Sequence, residues 1–409
     1  MIADSEFAPS REAGLRRLSA FLPVAGRHYA AARNHDRGPG RHGSVSQLSP
    51  YLRRRLVTEE EVVVAAVESH GLEAAEKFVQ EVFWRGYFKG WLERRPVIWD
   101  MYCEGLQDDF NRLAKDAALR KRLDHALAGE TGIEGFDFWA RELVETGYLH
   151  NHARMWFASI WIFTLELPWR LGADFFLRNL IDGDPASNTL SWRWVAGLHT
   201  RGKTYQAEAW NIAKFTEQRF VMPEGVLSPV AEALVAEEPD GLPPVAAIRK
   251  PALPDRSRPT ALLITEEDCG IEAFALPDFD IRTVATLEAS HLRSDLPVNP
   301  IIRDFEVAAL TDTVERLARP AQALIARDPR MLVDWAGRAD ASQILTGYVP
   351  AGPLRDWMKQ AQAHLDAAGI SLCEWQREWD AQIWPHATAG FFKVKKQIPR
   401  ILNELGMPG

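Results

Sequence analysis

A block between residues 147 and 194 concentrates side chains whose types could take part in chemistry. It contains Arg154 in a stretch with helical spacing, and two carboxylates, Asp182 and Asp184, in a loop interrupted by glycine. An Asp-Gly-Asp sequence is common in turns and at helix starts, because its carboxylates accept backbone hydrogen bonds there. Taken alone, these residues favour a structural role over a functional one. The polar and aromatic residues that follow them are Asn188, Trp192 and Trp194.

The order of the motifs is more specific than any one of them. Between His150 and Trp194, HNxxRM is followed by a tryptophan, then by IDGDxxxN and then by WxW. Three motifs precede this block: SVSQLSPYL (44–52), EVFWRGYF (81–88) and GETGIEGFDFWAREL (129–143). In this order they resemble the FAD-binding domain of the photolyase and cryptochrome flavoproteins. The resemblance covers about residues 12–215 and implies an all-helical domain that binds FAD non-covalently.

The resemblance implies a place for the FAD diphosphate near the first of these motifs. Tyr29, Ser46, Leu48 and Ser49 would lie along it. Hydroxyl and backbone N–H groups that lead into a helix suit phosphate oxygens, because a helix N-terminus carries partial positive charge. Ser46 and Ser49 are also typical capping residues, and with Pro50 at the first helical position both roles hold together.

The resemblance also implies that the acidic loop holds the flavin. Asp182 and Asp184 would accept hydrogen bonds from the flavin ring and its sugar-like chain. Arg154 would pair with Asp182 and supply positive charge near the ring, which stabilises a reduced, anionic flavin. Asn188 would face flavin N5, where an amide can both donate and accept a hydrogen bond.

Two tryptophans match the inner members of the family's electron-relay chain, which leads from the flavin towards the surface. They are Trp192 and Trp169. The third, surface member is not at its expected place near Asp116, and Trp161, Trp210 or a tyrosine remain alternatives. Packing in the core is the alternative role for each of these rings.

Five further positions match those that face the substrate in the repair enzymes of this family, where a flipped-out pyrimidine dimer sits over the flavin. They are Glu81, Trp84, Asn151, Met155 and Trp194. Trp84 and Trp194 would be the aromatic walls on which a base stacks, and Glu81 would donate a proton or hydrogen bond to a dimer carbonyl. Trp84 and Asn151 would also contact the cofactor.

The resemblance implies a light-driven enzyme of the deoxyribodipyrimidine photo-lyase type. Reduced FAD would pass an electron to a pyrimidine photolesion in DNA and take it back. Two alternatives remain open: a cryptochrome-like blue-light photoreceptor with a signalling partner, and a light-independent FAD-dependent oxidoreductase on the same scaffold. The family usually begins with an α/β antenna domain, and we expect this chain to lack it at the N-terminus.

The composition is that of an ordinary globular protein and limits its partners. Of 409 residues, 46% are hydrophobic and 25% are charged, and the formal net charge is -8. This charge gives no global attraction to nucleic acid or anionic lipid, so a DNA contact needs a local basic patch. Cys103, Cys269 and Cys373 lie too far apart for a metal site, and no metal is expected. Because the chain shows no signal-peptide pattern and no apolar run long enough for a bilayer, we expect a cytoplasmic protein with no membrane contact.

Three regions follow from the patterning along the chain, and a mainly α protein is expected. Residues 1–225 show helical spacing, and the resemblance implies that they form the FAD-binding domain; residues 226–258 are Pro-rich and predict a linker. Residues 259–409 alternate strand and helix patterns and predict a small α/β domain with a C-terminal helix. The predicted strands are 261–265, 281–287, 331–335 and 370–375, and the predicted helices are 72–92, 136–149, 150–165, 303–317, 354–368 and 390–405.

Overall fold

The computed structural model describes residues 7–407, and the first half of the chain is helical. A π-helical turn, Ile160–Thr164, extends the eighth helix. In chain order the helices of this region are α1 (Arg11–Phe21), α2 (Arg27–Ala32), α3 (Ser49–Arg53), α4 (Glu59–Glu93), α5 (Val97–Leu113), α6 (Ala117–Ala128), α7 (Glu134–Thr146), α8 (Asn151–Ser159), α9 (Trp169–Leu177), α10 (Pro185–Val195) and α11 (Ala209–Phe215).

Helix α4 begins at a capping box and bends once. The Thr58 hydroxyl accepts a hydrogen bond from the Glu61 backbone N–H, and the Glu61 carboxylate accepts one from the Thr58 N–H. This reciprocal pairing satisfies two N–H groups that a helix start leaves without partners. At Gly71 the backbone has φ 73°, a conformation that L side chains rarely adopt, so glycine allows the bend. The helix predicted over 72–92 is the part of α4 that follows this bend.

Helix α7 ends earlier than the sequence predicts. The prediction carried this helix to Leu149, but Gly147 adopts φ 69° and its N–H donates to the Leu143 carbonyl. A glycine in the left-handed conformation is a common helix end, because it lacks the Cβ that would clash. The chain turns there and starts α8 at Asn151.

The second half of the chain contains a five-stranded parallel sheet in the order β3-β2-β1-β4-β5. The central strand β1 is buried along its whole length, and Leu262 pairs with Val284 on one side and Leu345 on the other. The strands are β1 (Thr260–Thr265), β2 (Ile281–Glu288), β3 (Gln322–Ile325), β4 (Gln343–Gly347) and β5 (Ser371–Trp375). The helices are α12 (Pro300–Leu317), α13 (Met331–Arg338), α14 (Pro353–Ala367), α15 (Glu378–Ile383), α16 (Phe392–Lys395) and α17 (Ile398–Glu404).

Two predicted elements of this half are wrong. Residues 331–335 form the start of α13 and not a strand, and Leu332, Trp335 and Ala336 are buried at helical spacing. A short apolar run does not distinguish a strand from a buried helix. The single helix predicted over 390–405 is divided into α16 and α17.

The apolar core joins the two halves of the chain. Alternate residues of β1 face opposite sides of the sheet, as strand geometry requires. Leu262 and Ile264 pack into the core of the helical region, whereas Ala261 and Leu263 pack with α13 and α14 in a second core. One face of the sheet is therefore docked on the helices, and this holds the loop after β1 against them.

Between the halves the backbone is mostly irregular, with one 3₁₀ turn at Val235–Glu237. The division into residues 1–225, 226–258 and 259–409 stays a prediction, because the core crosses it. The mainly α fold with a small α/β region is confirmed. Within residues 7–407, no helix combines the length and apolar character needed to cross a membrane.

Candidate functional site

A cavity of about 610 Å³ lies within the helical region. Its volume falls in the range of about 300–1,000 Å³ that is usual for small-molecule and cofactor sites. Trp169 does not line it, but every other predicted site residue does: Tyr29, Ser46, Leu48, Ser49, Glu81, Trp84, Asn151, Arg154, Met155, Asp182, Asp184, Asn188, Trp192 and Trp194.

The start of α8 places three of these side chains on one face of a helix. His150 caps the helix, since its Nδ1 accepts a hydrogen bond from the His152 backbone N–H. Burial lowers the pKa of His150 to about 3, so the ring stays neutral and can accept. Because Asn151, Arg154 and Met155 are three and four residues apart, they point the same way.

Asp182 forms the predicted pair with Arg154 and keeps one oxygen free. Arg154 Nη2 donates to Asp182 Oδ2 at 3.0 Å. Burial alone would raise the pKa of Asp182, but the neighbouring Arg154 outweighs it and holds the pKa below its ordinary value. Asp182 Oδ1 is buried and has no hydrogen-bond partner among residues 7–407. The carboxylate is therefore ionised and can accept a further hydrogen bond in the cavity.

Asp184 has two roles, one for each oxygen. Its Oδ1 accepts a hydrogen bond from the Ser187 N–H at 2.8 Å and so caps α10. The other oxygen, Oδ2, has three cationic side chains within 4.0 Å, namely Lys89, Arg53 and Arg85. Although burial opposes ionisation, these cations hold the pKa of Asp184 well below its ordinary value. The capping role is confirmed, and it leaves Oδ2 in a positive environment.

Arg85 supplies the complementary group. Its Nη1 is buried and has no hydrogen-bond partner among the described residues. Burying a polar atom without a partner costs free energy, so such atoms mark places where a ligand or water completes the structure. With Asp182 Oδ1, the cavity offers an unpaired acceptor and an unpaired donor. This combination fits a polar cofactor such as FAD, which has both donors and acceptors.

The wall nearest α3 is built from a turn and two apolar side chains. Ser46 Oγ accepts a hydrogen bond from the Leu48 N–H at 3.4 Å, so Ser46 stabilises the turn that precedes α3. Helix α3 has only five residues, and Pro50 is its second residue rather than its first. Tyr29 and Leu48 are both buried. Their proposed contact with a diphosphate stays a prediction.

Asn188 and Trp192 line the cavity one helical turn apart on α10. Asn188 Nδ2 donates to the Ala173 carbonyl at 2.8 Å, which holds the amide at the cavity wall. The Trp192 ring lies against Gly172, where an added Cβ would come within 2.3 Å of it. Glycine is therefore required at position 172 for α9 and α10 to approach each other around Trp192.

The predicted step from Trp192 to Trp169 is not a ring contact. Among the described residues, Trp192 contacts Trp161 with ring centroids 6.1 Å apart, whereas Trp169 contacts Tyr102 at 5.9 Å. Trp169 Nε1 donates to Glu237, outside the cavity. The relay role of both tryptophans stays a prediction.

At the cavity mouth two tryptophans are each backed by another ring. Trp84 stacks on Phe391 at 4.0 Å with an interplanar angle of 15°, and Trp194 stacks on Tyr205 at 5.5 Å. Glu81 lies 3.7 Å from Arg33, and its side chain is 39% exposed. Burial among the cavity walls raises the pKa of Glu81, and Arg33 opposes this effect.

Sequence reasoning missed the cations of the site. Arg85 and Lys89 follow Glu81 at four-residue steps, which places all three on one face of α4. That spacing was a usable signal. Arg53 carries no comparable signal, because its position beside Asp184 depends on how α3 packs.

Comparisons with known proteins agree with this geometry. Residues 78–220 match the family described as FAD binding domain of DNA photolyase. A deoxyribodipyrimidine photo-lyase of Streptomyces griseus is 38% identical over 161 residues, which cover 38% of this chain and 33% of that protein. A deoxyribodipyrimidine photo-lyase of Thermus thermophilus is 34% identical over 203 residues, which cover 48% of this chain and 45% of that protein.

Among solved structures, a bacterial class III photolyase from Agrobacterium tumefaciens is similar to this chain. The identity is 25%, the TM-score is 0.42, and the match covers 52% of this chain and 44% of the other. The chain thus spans less than half the length of the relatives it matches. The matched residues 78–220 include α8, α10 and the loop with Asp182 and Asp184. Residues 78–220 of this chain therefore form an FAD-binding domain of the photolyase type.

Proposed function

We propose that this protein is a light-dependent DNA repair enzyme of the photolyase type. The observation that carries the proposal is that Asp182 and Asp184, which form what we call the cavity floor, line one cavity with the five residues predicted to face the substrate. Glu81 and Asn151 line it and are exposed, so it opens to solvent. The two relatives described above are named deoxyribodipyrimidine photo-lyase, and this name supports the same activity here.

The residues that would hold FAD are those of the cavity floor. Asp182 Oδ1 accepts a hydrogen bond, Arg85 Nη1 donates one, and the positive charge of Arg154 favours a reduced, anionic cofactor. The Asn188 side chain keeps its carbonyl oxygen and a second N–H for the same ligand. FAD, when bound, supplies an electron under blue light.

The residues at the mouth would hold the DNA lesion. Trp84 and Trp194 each have one face covered by a neighbouring ring, and both remain partly exposed in the cavity. Such backed rings are rigid platforms on which an extruded base can stack. Glu81, with its raised pKa, holds a proton more readily than an ordinary carboxyl and can donate a hydrogen bond to a lesion carbonyl.

A local basic segment lies beside this mouth. Residues 381–403 contain four cationic residues, Lys393, Lys395, Lys396 and Arg400, and no acidic residue, although Lys395 and Arg400 pair with Glu76 and Glu404 outside the segment. Phe391 of the same segment stacks on Trp84, so the segment adjoins the cavity wall. Phe392 is 74% exposed. Cations with an exposed aromatic ring suit a single strand, whose phosphates and bases they contact together.

The proposal is tested with single-stranded DNA that contains thymine dimers, because unpairing a duplex costs a few kcal/mol. FAD-loaded, fully reduced protein is illuminated with blue light and the remaining dimers are counted. We expect repair by the wild type, and reduced repair with normal FAD content for Glu81→Ala and Trp84→Ala. Leu253→Ala is the control, since Leu253 is 81% exposed and lies outside the cavity lining. No repair of thymine dimers or of the (6-4) photoproduct by the wild type would overturn the proposal.

A further inference from the structure

Two charged triplets that are far apart in sequence meet in the interior. The arginine triplet is Arg53, Arg54 and Arg55, at the end of α3, and the acidic triplet is Glu266, Glu267 and Asp268, directly after β1. Each of the six residues is at most 5% exposed. Arg53 binds Glu267 through two hydrogen bonds of 2.9 and 2.7 Å, and Arg54 Nη2 lies 3.0 Å from Glu266.

The acidic triplet occupies the edge of the sheet where ligands commonly bind. In open parallel sheets the crevice at the carboxyl ends of the strands, where the strand order reverses, is the usual ligand site. Here β1 lies between β2 and β4, and the acidic triplet follows it. Arginine side chains of the helical region fill this position. The crevice therefore joins the two halves of the chain.

We call the contact between the arginine triplet and the acidic triplet the joint. Its arginines also bind the backbone of the cavity floor. Arg53 Nε donates to the Gly183 carbonyl at 3.0 Å, and Arg54 Nη1 donates to the Ile181 carbonyl at 2.7 Å. Arg293 joins them: its Nη2 donates to Glu266 at 2.9 Å and its Nη1 to the Leu180 carbonyl at 3.0 Å. These carbonyls belong to residues 180–183, which we call the floor loop. It contains Asp182 and leads into Asp184.

A second bridge runs through Lys89. Its Nζ lies 3.6 Å from Asp184 Oδ2 and 3.8 Å from Glu267 Oε2. Lys89 is therefore shared between a carboxylate of the cavity and a carboxylate of the sheet edge. If Glu267 lost its charge, Lys89 would have Asp184 as its remaining acidic partner, and Arg53 would have Asp184 and Glu266, whose Oε1 lies 3.6 Å from Arg53 Nη2. Both cations would then bind Asp184 more strongly and compete with a ligand for it.

We propose that Glu266 and Glu267 are positioning residues for the cofactor. They hold Arg53, Arg54 and Arg293 against the floor loop, and in this way the α/β region sets the affinity of the helical region for FAD. The inference rests on the FAD site proposed above. It adds a role for a part of the chain that lies outside residues 78–220.

Asp268 provides a matched control within the same triplet. It is as buried as its neighbours and pairs with Arg377 at 2.7 Å and with Arg55 at 3.4 Å. The polar partners of these two arginines are Glu59, Asp268, Asp380 and the Gly270 carbonyl, all outside the floor loop. A change at Asp268 thus damages the joint without releasing the floor loop.

The test compares Glu267→Gln and Glu266→Gln with Asp268→Asn in the full chain. FAD is titrated into each apoprotein, and the flavin fluorescence gives the dissociation constant. We expect Glu267→Gln to weaken FAD binding by about tenfold, within the usual range for coupling between two sites. Glu266→Gln should act in the same direction. Asp268→Asn should bind FAD within about twofold of the wild type, even if its melting temperature falls as much as that of Glu267→Gln.

Hydrogen exchange gives a second readout that a general loss of stability does not imitate. The Ile181 N–H donates to the Gly147 carbonyl and the Gly183 N–H to the Leu180 carbonyl. Without FAD, these two amides should exchange faster in Glu267→Gln than in Asp268→Asn at equal global stability. If Glu267→Gln does not fold, Arg53→Lys replaces it, because lysine keeps the charge but loses the two-point pairing with Glu267.

The outcomes separate this inference from the proposed function. Equal FAD affinity and equal exchange in Glu267→Gln and Asp268→Asn would overturn the positioning role. If the wild type bound no FAD, the proposed function would fail, and the exchange comparison would still decide whether Glu267 holds the floor loop.

Discussion

The cavity of the helical region and the carboxyl edge of the sheet are both rich in buried charge, but they differ in how that charge is paired. At the sheet edge each acid has an arginine within 2.9 Å: Glu266 with Arg293, Glu267 with Arg53, and Asp268 with Arg377. In the cavity, Asp182 pairs with Arg154 and Arg85 lies 4.0 Å from Asp184, but Asp182 Oδ1 and Arg85 Nη1 have no hydrogen-bond partner among residues 7–407. Close ion pairs hold two parts of a protein together, whereas buried polar atoms that line a cavity without a hydrogen bond leave a place for a ligand.

The sheet edge and the cavity also differ in what occupies them. Doubly wound sheets offer a crevice by their topology, but here it is closed by side chains from the helices. The cavity keeps a volume of about 610 Å³, and its arginines, Arg33, Arg85 and Arg154, are part of its lining. Both regions contain buried arginines and carboxylates. The position of these charges therefore distinguishes the joint from the binding site.

The largest effect is expected at the joint. Arg55 is fully buried beside three carboxylates, Glu59, Asp268 and Asp380. Arg55→Met removes their shared cation, and removing one partner of a buried ion pair costs about 3–5 kcal/mol. Urea denaturation should show this loss in the free energy of unfolding, while the FAD affinity of the folded protein stays unchanged. Unchanged stability would contradict the assignment of Arg55 to the joint.

The next effect is expected in the cavity. Asp182→Ala and Arg154→Ala should each weaken FAD binding by about a hundredfold, which corresponds to about 2.8 kcal/mol. The physical reason is that each change leaves the other charge of the pair without its partner. Arg178→Ala is the control: Arg178 pairs with buried Asp174 at 3.1 Å, outside the cavity lining. If this variant lost FAD equally, the Asp182 pair would have no special role.

The joint should also be sensitive to acid. Burial would raise the pKa of Glu266, but the surrounding Arg293, Arg53 and Arg54 outweigh it and hold the pKa at about 2. Because the folded pKa lies below the ordinary value of 4.5, the stability from this group is present above about pH 4.5 and is lost as the pH falls through about 2. Urea midpoints measured from pH 6 to pH 3 should fall less steeply for Glu266→Gln. An identical slope in that variant would show that other carboxylates cause the acid sensitivity.

The smallest change in stability is expected for two tryptophans. Trp192 lines the cavity and Trp335 lies in the second core; each is 2% exposed and neither Nε1 has a partner among the described residues. Substitution of either by Phe should cost about 1 kcal/mol through lost packing. Only Trp192→Phe should slow the photoreduction of bound FAD, since Phe is far harder to oxidise. The rate of photoreduction is measured from the flavin absorbance under blue light. Equal rates in both variants would show that Trp192 has only a packing role.

Local patterns predicted much of the fold. The strand prediction over 261–265 matches β1, and helical spacing over 354–368 matches α14, because each pattern reflects which face is buried. Residues 331–335 were predicted wrongly, since a short apolar run is compatible with either element. The division of the last helix into α16 and α17 also had no signal in the helical spacing.

The sequence also predicted the site only in part. Motif order grouped Asp182, Arg154 and Asn188 around the cofactor; all three line one cavity, and their roles toward FAD stay predictions. It did not predict that Trp169 lies away from the cavity and contacts Tyr102 rather than Trp192. Ring contacts depend on how helices pack, and sequence spacing does not determine the packing between separate helices.

The sequence by itself determined the local parts of this protein. The capping box at Thr58, the cap of α10 at Asp184 and the motifs between residues 150 and 194 depend on neighbours within a few residues. Only the tertiary structure decided that Arg53 meets Glu267, 214 residues away in the chain. Burial of one sheet face on the helical core brings these charges together, and neither triplet contains a local signal for its partner. Long-range charge pairing follows from docking, because the attraction becomes strong only after the apolar faces have excluded water.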